Sequence, residues 1–325
     1  MHYTHLGRSG LEVSRICLGM MSFGDPTKGR EWVLGLDRAR PIIRAAWEAG
    51  INFYDTANVY SAGTSEEITG TVLWELASRD EVVLATKVHG EMRKGPNGRG
   101  LSRKAILSEI DHSLRRLKTD YVDLYQIHRF DPITPIEETL EALDEVVKSG
   151  KARYIGASSM WAWQFMQMLD TQRANGWSRF VSMQNQLNLI YREEEREMLP
   201  LCVAEGIGVI PWSPLARGRV ARPWGEVTKR FGTDPFQNSL YDAHAAVDEK
   251  INDAVAAVAK AKGKTMAQVA LAWVLQKQPV TAPIIGVTRL EQLTDAVGAL
   301  DVQLSPDDIK ALEAAYAPRP PGGFQ

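Results

Sequence analysis

Eight short apolar segments, each followed by a longer amphipathic segment, recur along this chain of 325 residues. They lie at residues 15–18, 52–54, 82–86, 122–127, 153–157, 180–183, 208–211 and 281–285. Short apolar strands that alternate with helices indicate a parallel sheet with helices outside. Eight such units, in a chain of roughly 200 to 400 residues, are typical of a closed barrel. The sequence therefore predicts an α/β fold, an eight-stranded parallel (β/α)8 TIM barrel.

Several segments lie outside the eight units. Residues 3–18 contain two short strands around a Gly-Arg-Ser-Gly turn, which predicts an N-terminal β-hairpin. Helical patterns near 250–262 and from 306 onward predict extra C-terminal helices. The alternative, a doubly wound open sheet, lacks its Gly-x-Gly-x-x-Gly fingerprint after a strand. We expect one domain over residues 1–325, with residues 213–248 as a lid or binding loop.

Composition excludes several classes of protein. Net charge is -2, which gives no reason to expect nucleic acid as a partner. Neither an apolar run long enough for a bilayer nor an N-terminal signal sequence is present, so we expect a cytoplasmic protein without a membrane partner. Cys17 and Cys202 are too few for a disulfide framework. The oligomeric state stays open.

Four chemically active side chains follow consecutive predicted strands. Asp55 and Tyr60 follow the second strand, Lys87 the third and His128 the fourth. Each of them alone is more often a capping, solvated or packing residue, but the ends of barrel strands lie side by side, so we expect the four to converge. The backbone from Gly19 to Met21 follows the first strand and should face the same mouth. The sequence shows no His-Glu-x-x-His or Cys-x-x-Cys pattern, and we predict no metal.

This set of residues suits a general acid that acts on one oxygen. A phenol has an ordinary pKa of about 10, and a lysine cation beside Tyr60 would lower it. Asp55 would hold the buried Lys87 and offset its charge. His128 would donate a hydrogen bond to the substrate oxygen as charge develops there. We therefore predict that Tyr60 gives a proton to a carbonyl oxygen.

Seven motifs in one order resemble those of the aldo-keto reductase family and cover nearly the whole chain. They are GRSGLEVS at 7–14, INFYDTANVY at 51–60, ATK at 85–87, DLYQIH at 123–128, KARYIGASS at 151–159, PWSPLARG at 211–218 and PIIGVT at 283–288. The resemblance implies an eight-stranded α/β barrel that reduces aldehydes or ketones to alcohols with NADPH, that is, NADP(H) as cofactor and a small-molecule carbonyl substrate. The family's catalytic tetrad falls on Asp55, Tyr60, Lys87 and His128.

The same resemblance implies a set of cofactor contacts. Ser158 and Gln184 would hydrogen-bond the nicotinamide carboxamide, and Ser159 stands where the family usually has Asn. Trp212 replaces the usual stacking Tyr and offers a larger ring face. The remaining predicted cofactor positions are Gly19, Met20, Met21, Asp55, Ser213, Leu215, Arg217, Gly218, Gly286, Thr288, Arg289, Gln292 and Asp295. Of these, residues 213–218 would line the pyrophosphate, and Arg289 would favour NADPH over NADH by binding its extra phosphate.

Two further points stay open at the level of sequence. Trp32, Trp161, Trp163 and Trp224 lie in or near loops after strands, and either form an apolar substrate pocket or simply pack. The potassium-channel β-subunits also resemble this family, so a redox-sensing regulatory protein is the alternative to an enzyme. A barrel lyase or isomerase without nicotinamide is a third possibility.

Overall fold

The computed structural model describes residues 1–28, 30–226, 233, 240–241 and 244–322. Eight parallel strands form its central sheet, in the order β10-β3-β4-β5-β6-β7-β8-β9, and β1 pairs with β2 as an antiparallel hairpin. The strands are β1 Tyr3–His5, β2 Glu12–Ser14, β3 Cys17–Gly19, β4 Phe53–Asp55, β5 Val83–Val88, β6 Val122–Ile127, β7 Ala152–Ser158, β8 Phe180–Gln184, β9 Gly208–Val209 and β10 Ile284–Ile285.

Backbone hydrogen bonds close the two ends of this sheet into a ring. Thr281 N donates to Val209 O at 2.8 Å, and Ile284 N donates to Pro211 O at 2.9 Å. These bonds join β9 to the segment that leads into β10, and β10 in turn pairs with β3. The eight-stranded parallel (β/α)8 TIM barrel is confirmed.

Ten α-helices surround the ring in the described part of the chain. They are α1 Leu36–Glu48, α2 Thr64–Leu76, α3 Arg103–Leu117, α4 Ile136–Lys148, α5 Ala162–Asn175, α6 Met198–Glu205, α7 Ala245–Lys262, α8 Met266–Gln276, α9 Leu290–Gly298 and α10 Pro306–Glu313. Local sequence sets several of their ends. The hydroxyl groups of Ser102, Thr265 and Ser305 cap α3, α8 and α10 by accepting a backbone N–H. Helices α7 and α10 are the predicted extra C-terminal helices.

The N-terminal hairpin fills the amino end of the barrel. Leu6 and Val13 are fully buried there among interior residues that include Phe53 and Leu124. The turn packs on the backbone so closely that a Cβ at Gly7 would lie 2.5 Å from Gly208 N. With this end filled by side chains, the opposite end, at the carboxyl ends of the strands, is where a barrel presents its reactive groups.

Two regions differ in detail from the sequence prediction. The alternation of strands and helices predicts one helix between the strands at 180–183 and 208–211, but the structure has a short 3-10 turn, Glu193–Glu195, followed by α6. Pro200 explains the break, because it has no N–H to donate and its ring would clash with the carbonyl four residues earlier. Helix α7 begins at Ala245, inside the stretch predicted as irregular, and residues 227–232, 234–239 and 242–243 of that stretch lie outside the described residues.

The C-terminal tail after α10 is pinned by one buried arginine. Arg319 is 6% exposed, and its Nη2 lies 2.7 Å from Asp248 Oδ1 on α7. Nearby, the side chain of Asn252 on α7 donates to the carbonyl oxygens of Arg219 and Arg222. Helix α7 therefore holds both the tail and the loop after β9. Within the described ranges, none of the helices is long and apolar enough to cross a membrane.

Candidate active site

The ammonium group of Lys87 is the centre of the predicted catalytic cluster. Its Nζ lies 2.5 Å from Asp55 Oδ2, 2.8 Å from the Thr56 carbonyl oxygen and 3.3 Å from the Tyr60 hydroxyl. Strands β4 and β5 place these groups side by side, because Asp55 pairs with Ala85, two residues before Lys87. Lys87 is fully buried and Asp55 is 2% exposed, so this ion pair is shielded from water.

Two amide side chains complete the shell around Asp55. Gln126 Nε2 and Gln184 Nε2 each donate to Asp55 Oδ1 at 2.9 Å, and Gln184 Nε2 also donates to Gln126 Oε1 at 3.1 Å. These bonds satisfy the carboxylate oxygen that Lys87 does not contact. Gln126 was missed at the level of sequence, although it lies on β6 two residues before His128, and residues two apart along a strand point to the same side.

The surroundings of Lys87 keep it charged. Burial alone would lower the pKa of this lysine, but Asp55 and then Tyr60 favour the cation, and the pKa is raised above its ordinary value. A permanent cation therefore lies 3.3 Å from the Tyr60 oxygen, where it stabilises any negative charge that develops there.

His128 lies against the same tyrosine. Its ring meets that of Tyr60 edge to face, with centroids 5.6 Å apart and planes at 81°. Burial, and next Lys87, Arg129, His89 and Arg30, lower the pKa of His128 well below its ordinary value. The imidazole is neutral near pH 7, so it can act as a hydrogen-bond donor but not as an acid of matched strength.

The residues expected at the nicotinamide form a connected group beside the tetrad. Both amide hydrogens of Gln184 are used by Asp55 and Gln126, which leaves its Oε1 as the atom that could bind a ligand amide. Ser158 Oγ donates to the Gln184 carbonyl oxygen at 2.6 Å, and its lone pairs can still accept a hydrogen bond from a ligand. Trp212 Nε1 donates to Ser159 Oγ at 2.9 Å, which fixes the half-exposed indole. Ser159 thus orients the ring of Trp212.

Gly19 is the last residue of β3, and Met20 and Met21 follow it beside the tetrad. Gly19 pairs with Asp55 across β3 and β4. A Cβ at Gly19 would lie 2.8 Å from Ile284 Cγ2 on β10, so a larger residue would crowd the contact between β3 and β10. Met20 is buried in the core and its carbonyl oxygen accepts from Ser65 Oγ, whereas Met21 is partly exposed.

The loop after β9 has an unusual backbone. Ser213, Ala216 and Arg217 have positive φ angles of 52°, 47° and 56°, and Gly218 follows at 98°. Left-handed non-glycine residues cost free energy and concentrate at ligand-binding loops, where they turn successive N–H groups toward one point. Leu215 is half-buried between them. The guanidinium of Arg217 lies close enough to the buried Tyr241 to oppose the effect of burial on the pKa of that tyrosine.

At the start of α9 a glutamine side chain accepts hydrogen bonds from backbone N–H groups. Gln292 Oε1 accepts from Thr288 N at 2.8 Å and from Arg289 N at 3.2 Å. Gln292 therefore caps the helix, a role that was not predicted, and it occupies N–H groups that suit an anion. Gly286 and Arg289 are exposed there, and Asp295 is half-buried one turn into the helix.

Arg222 is a second cation at this end, and sequence reasoning missed it. It packs over the loop, since a Cβ at Gly218 would lie 2.7 Å from Arg222 Nη2. Burial lowers the pKa of Arg222; Glu226 opposes this and Arg289 adds to it. Two guanidinium groups from different elements thus lie close enough to repel, an arrangement that an anion between them would stabilise.

The four loop tryptophans differ in exposure. Trp32 is buried, Trp224 is half-buried, and Trp161 and Trp163 are 38% and 62% exposed. Trp163, on α5, is therefore not part of the core. The guanidinium of Arg219 lies 5.9 Å from the Trp224 ring, on the loop after β9.

An α/β barrel with a buried Asp–Lys–Tyr group and a neutral histidine at its mouth defines the class of protein, a barrel enzyme of the oxidoreductase kind. The sequence profile of the Aldo/keto reductase family matches residues 15–317, and the chain belongs to that family. It is 44% identical to versiconal hemiacetal acetate reductase of Aspergillus parasiticus, over 98% of both chains. It is 42% identical to a putative aryl-alcohol dehydrogenase of Schizosaccharomyces pombe, over 98% of this chain and 96% of that one. A putative aryl-alcohol dehydrogenase of Saccharomyces cerevisiae is 38% identical, over 97% and 96%.

Proposed function

We propose that this chain reduces an aldehyde or ketone to an alcohol with NADPH, and that Tyr60 donates the proton. The observation that carries the proposal is the position of Lys87 Nζ between Asp55 Oδ2 and the Tyr60 hydroxyl, at 2.5 and 3.3 Å. The names of two relatives, aryl-alcohol dehydrogenases, favour aromatic aldehydes as the substrate class. The proposal keeps two expectations from the sequence, one domain over residues 1–325 and a cytoplasmic location.

Tyr60 and His128 bracket the place where the substrate oxygen binds. The neutral imidazole donates a hydrogen bond to that oxygen and polarises the carbonyl. Tyr60 then transfers its phenolic proton to the same oxygen, and Lys87 stabilises the phenolate that remains. Asp55, held by Gln126 and Gln184, keeps the lysine in place. NADPH, when bound, supplies the hydride that the carbonyl carbon receives.

The residues present fit such a cofactor. Trp212 offers a partly exposed ring fixed by Ser159, beside the available Oε1 of Gln184. The strained loop from Ser213 to Gly218 suits the binding of phosphates through its backbone N–H groups. At the start of α9 the side chain of Gln292 would have to release Thr288 N and Arg289 N before they could bind a phosphate. Arg222 and Arg289 lie close enough for their charges to interact, and a 2′-phosphate bound between them would favour NADPH over NADH.

Steady-state consumption of NADPH, followed by its absorbance against aromatic and aliphatic aldehydes, tests the proposal. Tyr60→Phe keeps the ring and removes the proton, so we expect turnover to fall by about 10²- to 10⁴-fold. Binding of NADPH, followed by quenching of tryptophan fluorescence, should be retained in this variant. Retention of most activity would refute the acid role of Tyr60. One slow oxidation of bound NADPH without turnover would instead support the redox sensor, and no binding of NADPH would support a lyase or isomerase.

A further inference from the structure

Two arginines lie at the mouth next to the proposed proton donor. The guanidinium carbon of Arg30 lies 5.1 Å from the centroid of the Tyr60 ring. Arg129 follows His128 directly, and its Nη1 donates to the His128 carbonyl oxygen at 2.6 Å. Both side chains are half-buried, so they flank the site at its rim. The loop between β3 and α1 and the end of β6 bring them to the same two catalytic rings.

Basic groups surround His128 at this rim. The largest charge effects that lower the pKa of His128 come from Lys87, Arg129, His89 and Arg30. Lys87 is offset by Asp55, which is engaged by that lysine and by two amides. Asp131 is the carboxylate whose charge opposes the lowering of the pKa of His89. It accepts hydrogen bonds from Leu101 N, Ile133 N and the hydroxyl of Thr134.

The reaction itself does not need these two extra charges. Lys87 already stabilises the Tyr60 phenolate from 3.3 Å, and the neutral His128 already donates to the substrate oxygen. A guanidinium matches a carboxylate in shape and charge and binds it through two parallel hydrogen bonds. Partly buried at the rim of a cleft, such a contact is stronger than on an open surface because the local dielectric is lower.

We propose that Arg30 and Arg129 form an anion subsite, and that the substrate carries a carboxylate or similar fixed anion beside its carbonyl group. This inference rests on the proposed function and narrows its substrate class to aromatic aldehyde acids. Arg30 is the specificity-determining residue of the pair. Arg129 contributes charge while it also holds the backbone of His128.

The test compares each acid with its uncharged methyl ester. Values of kcat/KM are measured for meta- and para-formylbenzoate and for the two esters, so that ring, aldehyde and size stay nearly constant. We expect the wild-type protein to prefer the better acid over its ester by about tenfold or more, as for a hydrogen bond to a charged group. In Arg30→Gln this preference should fall by about tenfold, and Arg30→Lys should keep part of it because the charge remains.

Lys28→Gln is the matched control. Lys28 is exposed in the same loop, so its loss removes one charge without touching the rim, and the acid-to-ester ratio should stay at the wild-type value. A second readout needs no charged substrate. With benzaldehyde as substrate, benzoate should inhibit more strongly than benzamide in the wild-type protein, and this difference should shrink in Arg30→Gln.

Four results would overturn the inference. An acid-to-ester ratio near one in the wild-type protein would remove the subsite. Equal losses on acid and ester in Arg30→Gln would assign Arg30 to the tuning of Tyr60, and a matching rise in the Kd for NADPH would assign it to cofactor binding. In these cases reduction of the esters still supports the proposed function. No turnover of any aldehyde would overturn the proposed function and the subsite together.

Discussion

Replacement of Lys87 by methionine should expose how much the central ion pair contributes to folding. The methionine fills most of the lysine volume but leaves Asp55 buried with only Gln126 and Gln184 as donors. Loss of one partner from a buried pair costs about 3 to 5 kcal/mol, because the other charge is left uncompensated. The short contact of 2.5 Å and the complete burial of Lys87 place this site at the upper end of that range.

A double-mutant cycle separates the interaction energy of Lys87 and Asp55 from the cost of burying each charge alone. Asp55→Asn alone leaves a buried cation and should cost a similar amount. The double variant Lys87→Met with Asp55→Asn leaves no buried charge, and its loss should be well below the sum of the two single losses. The measurement is urea-induced unfolding near pH 7. The pKa of Lys87 is raised in the folded state, so its contribution is fully present below its ordinary pKa and is lost only as the pH rises through the raised value.

Lys151→Met is the control for this cycle. Lys151 Nζ lies 2.7 Å from Asp111 Oδ1, a similar contact, but its side chain is 37% exposed. An exposed pair of this kind contributes about 0 to 1 kcal/mol. If Lys87→Met costs no more than Lys151→Met, or if the double variant is as unstable as the two single losses added together, the account of the site as a mutually dependent buried pair is refuted.

Three other predictions concern the cofactor end, Glu194 and the tail. Arg222→Gln should raise the Kd for NADPH by about tenfold and leave that for NADH nearly unchanged, as measured by fluorescence titration; equal effects on both would contradict a phosphate contact. Burial raises the pKa of Glu194 from 4.5 to about 7, so folding favours its neutral form, and its contribution is fully present below pH 4.5 and is lost as the pH rises through about 7. Glu194→Gln should therefore be more stable than the wild-type protein at pH 8, by up to about 3 kcal/mol, with no gain at pH 4; a gain that is independent of pH would count against this. Arg319→Met should lower the free energy of unfolding by about 3 kcal/mol or more through the uncompensated Asp248, whereas the exposed control Arg93→Met should change it little.

The fold was accessible from the sequence because its signals are local and repeated. Apolar segments such as residues 122–127 keep strand length, and helices such as α3 carry their own apolar stripe and capping serine. The order of the units then fixes the barrel, since parallel neighbours connected by helices leave few other topologies. The meeting of Asp55, Tyr60, Lys87 and His128 follows from that geometry, because each lies at or just after the carboxyl end of one of three neighbouring strands.

Contacts made by loops and by the tail were not accessible in the same way. Arg30 reaches the Tyr60 ring along a non-periodic loop, and no local pattern encodes the path of that loop. The sequence showed only that Ser159 lacks the amide group of Asn, whereas in the structure its hydroxyl accepts a hydrogen bond from the indole of Trp212. In the proline-rich tail, Arg319 is buried against Asp248, 71 residues away in sequence, and no local pattern predicts this pair. Such pairs form only once the chain has folded, and no periodic pattern in the sequence predicts them.

The hairpin packed against the amino ends of the strands leaves the carboxyl ends as the way into the barrel. With Leu6 and Val13 filling the amino end, a molecule that reaches Tyr60 has to enter at the carboxyl ends. Under the proposed function, cofactor and substrate would therefore pass through the same opening, and the one that binds deeper would have to bind first and leave last.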